Sequence, residues 1–84
     1  MYEIKIKRGA QKDLDALDDK MYIRIDITLQ NLRNDPFPHG VNKLRGGENR
    51  YRIRMGKYRI LYEVGQKDNT IVIYRIKSRK VAYE

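Results

Sequence analysis

The chain has 84 residues, no cysteine, one histidine and a formal net charge of +8. The missing cysteines exclude a disulfide scaffold and cysteine-ligated zinc, and the single His39 cannot build a histidine metal site, so no metal or other cofactor is expected. The length suits a single domain spanning residues 1–84, near the small end of what folds without staples.

In chain order, residues 2–7 alternate Tyr2, Ile4 and Ile6 against Glu3, Lys5 and Lys7, the pattern of a half-buried strand. The opening MYEIKIKRG lacks the apolar core of a signal peptide, and no stretch approaches the roughly 20 apolar residues of a membrane span. A cytoplasmic protein without membrane association is the expectation. From Gly9 the period changes: Ala10, Leu14, Leu17 and Met21 recur at helical spacing, which predicts a first helix through about Leu17. Asp18 and Asp19 then offer N-cap chemistry for a second helix.

That second segment carries two periods. Ile23, Ile25, Ile27 and Leu29 alternate like a strand, whereas Met21, Ile25, Leu29 and Leu32 form a helical stripe. Length decides for helix, since about fourteen residues run without Gly or Pro, against five or six in a typical strand. Ile23 and Ile27 then lie off the stripe and call for a second contact surface or a partner. NDPFPHGVNKLRGGEN is a connection in which Pro36 and Pro38 force extended backbone before them. Strands follow at about 50–55, 58–64 and 70–77, with GQKDN as the last loop and a tail from Ser78 to Glu84. The order predicts an α/β or α+β layer: one strand, two helices and a three-strand antiparallel meander, with both helices packed on one face of the sheet.

Charge is distributed unevenly. Residues 1–42 hold seven Lys/Arg against seven Asp/Glu, whereas residues 43–84 hold twelve against four. A one-sided basic surface attracts polyanions, with nucleic acid the leading candidate and an acidic protein the next. A two-residue turn at Gly56 and Lys57 would set Met55 opposite Tyr58, Ile53 opposite Ile60 and Tyr51 opposite Tyr62 on a core face. The other face then sets Arg54 against Arg59, Arg52 against Leu61 and Arg50 against Glu63. Like charges directly opposite cost about 0.2–1 kcal/mol, so Arg54 and Arg59 make sense with an anion between them. RIKSRK adds Arg75, Lys77, Arg79 and Lys80, and Tyr83 follows, a mixture of guanidinium groups and a ring that suits single-stranded RNA. Tyr51, Tyr58, Tyr62 and Tyr74 are read as core or core-edge residues. His39 reads as a turn residue, Gly46 and Gly47 as a tight turn, and Lys43 and Arg45 as extensions of the electrostatic footprint.

Two stretches, DPFPHGVNKLRGGENRYRIRMGKYRILYEV over residues 35–64 and IVIYRIKSRKVAY over residues 71–83, resemble the RelE/ParE superfamily of type II toxin–antitoxin toxins, on the RelE side. The resemblance lies in a proline loop and a K-L-x-G segment leading into a basic hairpin that ends Y-R-h-h-Y. It implies a compact microbial RNase-type fold and a metal-independent endoribonuclease that cuts messenger RNA in the ribosomal A site and inhibits translation. In that chemistry the 2′-hydroxyl attacks the adjacent phosphate, leaving a cyclic phosphate and a free 5′-hydroxyl. The family's basic positions fall on Arg52, Arg54, Arg59 and Arg79, with Tyr83 at the C-terminus. Arg54 and Arg59 would hold the scissile phosphate, Arg79 would stabilise or protonate the leaving oxygen, and Tyr83 would stack on a base or orient the nucleophile. Arg50, Lys43, Arg45, Lys77 and Lys80 would add RNA contacts.

The chain departs from many relatives in having arginine where they have lysine on the first hairpin strand, and Ser78 where they have histidine. Arginine is a poor base, which leaves Tyr83, Lys77, Glu48 or a ribosomal group as general base. The implied partners are an acidic antitoxin laid across the basic face, with Ile23 and Ile27 as contacts, together with the ribosome and its message. Operator DNA would be bound through the antitoxin. Two alternatives stay open: a ParE-like inhibitor of DNA gyrase without nuclease activity, and a weakly active or inactive toxin that only binds its antitoxin.

Overall fold

The computed structural model describes residues 1–45 and 49–78. In chain order these form β1 (Glu3–Ile6), α1 (Arg8–Asp15), α2 (Asp19–Asn34), β2 (Asn42–Lys43), β3 (Arg50–Met55), β4 (Tyr58–Gly65) and β5 (Thr70–Ser78). The strands make one sheet in the order β1-β5-β4-β3-β2. All neighbours are antiparallel except β1 and β5, which pair in parallel from Glu3↔Thr70 to Ile6↔Ile73. The expected strand, helix pair and meander are all present. β2 is new: two residues, Asn42 and Lys43, of the predicted connection pair with Arg52 and Tyr51.

Both helices form where the sequence places their signals. Asp18 caps α2 by accepting from Met21 N–H at 2.8 Å, and α2 buries Ile25, Leu29 and Leu32. The period-two reading of this segment loses because four backbone turns satisfy its amides internally while the helical stripe alone supplies a continuous apolar face. α1 ends at Asp15, slightly before the predicted Leu17, and buries Ala10 and Leu14. These helical residues meet Ile60, Tyr62 and Val64 of β4 and Ile71, Ile73 and Ile76 of β5 in one core. Tyr62 is fully buried, and its hydroxyl donates to the Pro36 carbonyl at 2.8 Å, which ties the proline loop to the sheet. Phe37 packs edge-on against Tyr51 with centroids 5.0 Å apart, closing the same corner.

The β3–β4 hairpin has the register its turn demands, from Arg50↔Glu63 through Arg54↔Arg59 to Met55↔Tyr58. Gly56 supplies the positive φ (+59°) required at the first position of a type II′ turn. The β4–β5 ladder is less regular. Ile60 pairs with Ile76 and Leu61 with Arg75, but Tyr62 pairs with Ile73, so Tyr74 is an inserted residue. This bulge changes the parity of β5: Ile71 and Ile73 face the core, and then Ile76 does, three positions later. Among the described residues no helix is long and apolar enough to cross a membrane.

Candidate functional site

Cross-strand partners share a face of the sheet, so the register determines what lies opposite the core. On β3, β4 and β5 that outer face holds three rows. The first sets Arg50 against Glu63 and Val72, the second Arg52 against Leu61 and Arg75, and the third Arg54 against Arg59 and Lys77. Strands lie about 4.8 Å apart, so the third row brings three cations onto adjacent strands within about 10 Å.

The rows differ in charge and burial. In the first, Arg50 Nε meets Glu63 Oε1 at 3.1 Å, and the guanidinium lies over the Tyr74 ring, 5.5 Å from its centroid. Burial pushes the Tyr74 phenol above its ordinary value, with Arg50 opposing and Glu63 adding to the shift. In the second row Arg75 is engaged by Asp13 of α1, Nε to Oδ2 at 2.9 Å and Nη2 to Oδ1 at 3.3 Å. That bond and the carboxylate's charge push the Arg75 guanidinium above its ordinary value. Arg52 Nε is buried and, among the described residues, finds no hydrogen-bond partner. In the third row the register puts cation against cation: Arg54 is exposed, Arg59 is only 6% exposed and Lys77 is half-buried.

The hairpin arginines thus stand as their spacing predicts, with Arg52, Arg54 and Arg59 on one face and Lys77 joining them. Arg50 shares the face but is held by Glu63. Lys43 is not brought to it: opposite Tyr51, it stands on the core side at the sheet edge, and Asn42 takes the place beside Arg52. Arg45 is an exposed turn residue after β2. Ser78 opposes Tyr58 and so stands on the face opposite Lys77. Arg79, Lys80, Tyr83 and Glu48 lie outside the described residues.

One sequence reading is corrected by the bulge. Tyr74 was expected in or beside the core, but it projects on the arginine face over Arg50. The readable signal was the spacing of Ile71, Ile73 and Ile76, whose step from two to three marks an inserted residue. Chemically, the face offers guanidinium forks for phosphate, one lysine ammonium as a further cation, and a half-exposed ring able to stack.

Comparison with known proteins accords with this geometry. The family described as "ParE toxin of type II toxin-antitoxin system, parDE" matches residues 4–83. The chain is 32% identical over 77 residues to toxin RelE3 of Methanocaldococcus jannaschii, covering 87% of this chain and 85% of the relative. It superposes on the toxin of an archaeal RelE–RelB complex from Pyrococcus horikoshii OT3 with a TM-score of 0.84 and 34% identity, covering 95% and 97% of the two chains. A RelB–RelE antitoxin–toxin complex from Methanococcus jannaschii gives a TM-score of 0.77 at 29% identity, with 94% of each chain covered. With the family matched across nearly the whole sequence and RelE toxins as its structural neighbours, the chain belongs to the RelE/ParE family of type II toxin–antitoxin toxins and is RelE-like.

Proposed function

We propose that this toxin is a ribosome-dependent endoribonuclease that cuts messenger RNA in the A site by 2′-hydroxyl attack on the adjacent phosphate. The observation that carries the reading is the row Arg54, Arg59 and Lys77, in which the fold sets like charges side by side on three strands. Such a row of cationic donors is favourable around a phosphate whose charge grows in the transition state. Arg54 and Arg59 grip the non-bridging oxygens. The buried Arg52 Nε gains an acceptor when a neighbouring phosphate arrives. Arginine holds its proton too tightly to serve as base, so proton transfer falls to Lys77 or to groups of the tail and the ribosome. Arg79 neutralises the leaving oxygen and Tyr83 stacks on a base, the roles their positions carry in the family. The reaction requires no metal and takes place in the cytoplasm.

A RelB-type antitoxin is the cognate partner, an expectation supported by the solved complexes of the relatives. Its acidic segment covers the arginine face, and an apolar stripe meets Ile23 and Ile27, which are 59% and 55% exposed on the outward face of α2. Operator DNA is bound through that antitoxin.

The deciding experiment incubates purified toxin with programmed ribosomes and maps the 5′ ends of the message. Cuts within A-site codons bearing a 5′-hydroxyl support the reading. An intact message from toxin that still arrests growth overturns it and favours the ParE-like alternative, gyrase inhibition, to which the family match lends weight.

A further inference from the structure

The bulge in β5 decides which side chains reach the arginine face, and something must hold it in place. If β5 alternated regularly after Ile73, Arg75 and Lys77 would share the core face with Ile71 and Ile73, and Ile76 would point outward. The observed frame inverts this. Ile76 is buried at 3% exposure, and Lys77 stands opposite Arg59. A one-residue slip between the two frames is the ordinary failure of a weakly specified strand. This strand end is paired by β4 on one edge only: on the other, β1 stops at Ile6↔Ile73, followed by Lys7 N–H to the Ile73 carbonyl at 2.9 Å. Among the described residues, no strand pairs with the outer edge of β5 beyond that point.

Asp13 takes the missing strand's place. Its Oδ2 accepts from the Ile76 backbone N–H at 2.8 Å and from Arg75 Nε at 2.9 Å, while Oδ1 accepts from Arg75 Nη2. One carboxylate therefore grips two consecutive residues immediately after the inserted Tyr74. α1 is itself anchored by Ala10 and Leu14 in the core, so the carboxylate is fixed relative to the sheet. Gly9 clears the path: a Cβ there would stand 3.1 Å from Arg75 Cδ and 3.6 Å from the Tyr74 carbonyl.

We infer that Asp13 is a positioning residue for the RNA site: by clamping Arg75 and Ile76 it locks the bulged frame of β5 and so sets Lys77 beside Arg59 and Arg54. This rests on the nuclease reading for its functional half only. A misplacement of about 1 Å in a catalytic constellation costs up to about 100-fold in rate, and loss of the frame moves Lys77 to the other face altogether.

The test uses the full chain carrying Asp13→Ala and, as conservative rescue, Asp13→Asn, which keeps an acceptor for the Ile76 amide. Nuclear Overhauser contacts between Ile60 and Ile76 and between Arg59 and Lys77 report the frame. Ribosome-dependent cleavage reports the consequence. The expected result for Asp13→Ala is loss of those contacts and a fall of about 10- to 100-fold in maximal cleavage rate, with half-saturating ribosome changed by less than about 3-fold. Asp13→Asn should recover most of both readouts, and it carries the comparison if the alanine variant does not fold. Unchanged contacts in Asp13→Ala overturn the inference, whatever the activity. Lost contacts with wild-type cleavage overturn its functional half. If wild-type protein itself leaves messages intact, the nuclease reading fails while the contacts still decide whether Asp13 holds the frame.

Discussion

The two ends of the arginine face are built differently. At the Arg50 end, Glu63 takes the guanidinium and Tyr74 lies beneath it. At the Arg54 end, the register places Arg54 against Arg59 and Arg59 against Lys77. The same strands carry both ends, so strand chemistry alone cannot explain the difference. The first end is closed by an ion pair and a ring contact, while the second gathers three cations side by side on adjacent strands. On the proposed nuclease reading, RNA contact falls to the Arg54 end.

The strongest way to break the comparison is Arg54→Ala. Arg54 is exposed, so its removal leaves no cavity and relieves a like-charge pair. Cleavage should fall about 100-fold or more, the usual cost of removing one preorganised donor. Thermal stability should hold or rise by up to about 1 kcal/mol. Opposite movement of the two readouts marks a residue kept for its ligand; parallel loss would make Arg54 an ordinary structural contact.

A second variant tests a surface remote from both ends. Ile23 and Ile27 occupy the outward face of α2, away from the buried stripe of Ile25, Leu29 and Leu32. The double change Ile23→Lys and Ile27→Lys should weaken antitoxin binding about 10- to 100-fold, as loss of a small apolar hot spot does. Cleavage by the free toxin should be unaffected. Titration calorimetry with the antitoxin, beside the ribosome assay, separates the two effects.

Tyr62→Phe probes the core side of β4. It removes the hydrogen bond to the Pro36 carbonyl and leaves that carbonyl without the phenol donor, which should cost about 1–2 kcal/mol by denaturant unfolding. Burial pushes the Tyr62 phenol well above its ordinary value, with Tyr51 and Asp35 adding to the shift. The unfolded chain therefore releases this proton near pH 10, while the folded chain retains it to higher pH. The stability contribution is complete below about pH 10 and is lost as pH rises through the folded-state pKa, with a slope of up to about 1.4 kcal/mol per pH unit. The phenylalanine variant should show a flatter stability profile across pH 10–11, and an unchanged slope would place the alkaline sensitivity elsewhere.

The hairpin half of this site was legible because its information is local. Gly56 and Lys57 fix the turn, the turn fixes the register, and the register alone places Arg54 opposite Arg59. The α2 cap was legible for the same reason, Asp18 lying three residues from the amide it accepts. The β5 half was harder. Lys77 could be named from charge, but its face depends on one inserted residue, and Asp13 is 63 positions from the amide it holds. Nothing local distinguishes that carboxylate from Asp15. β2 escaped for another reason, since two residues, Asn42 and Lys43, show no alternation and pair only because β3 offers an edge.

Glu63→Gln should have the smallest effect and sharpens the comparison most directly. The Arg50–Glu63 pair is solvent-accessible, with side chains 53% and 34% exposed, so its loss should cost under about 1 kcal/mol. The substitution also removes the carboxylate opposite Arg50 and leaves the outer face one charge more positive. RNA contact by this end would then strengthen ribosome binding, most visibly at low salt where phosphate contacts dominate. Maximal cleavage should stay within about 3-fold, because no atom of the Arg54 row is displaced. A loss as large as that of Arg54→Ala would mean that the two ends act as one unit, with Glu63 orienting the arginines that grip the phosphate.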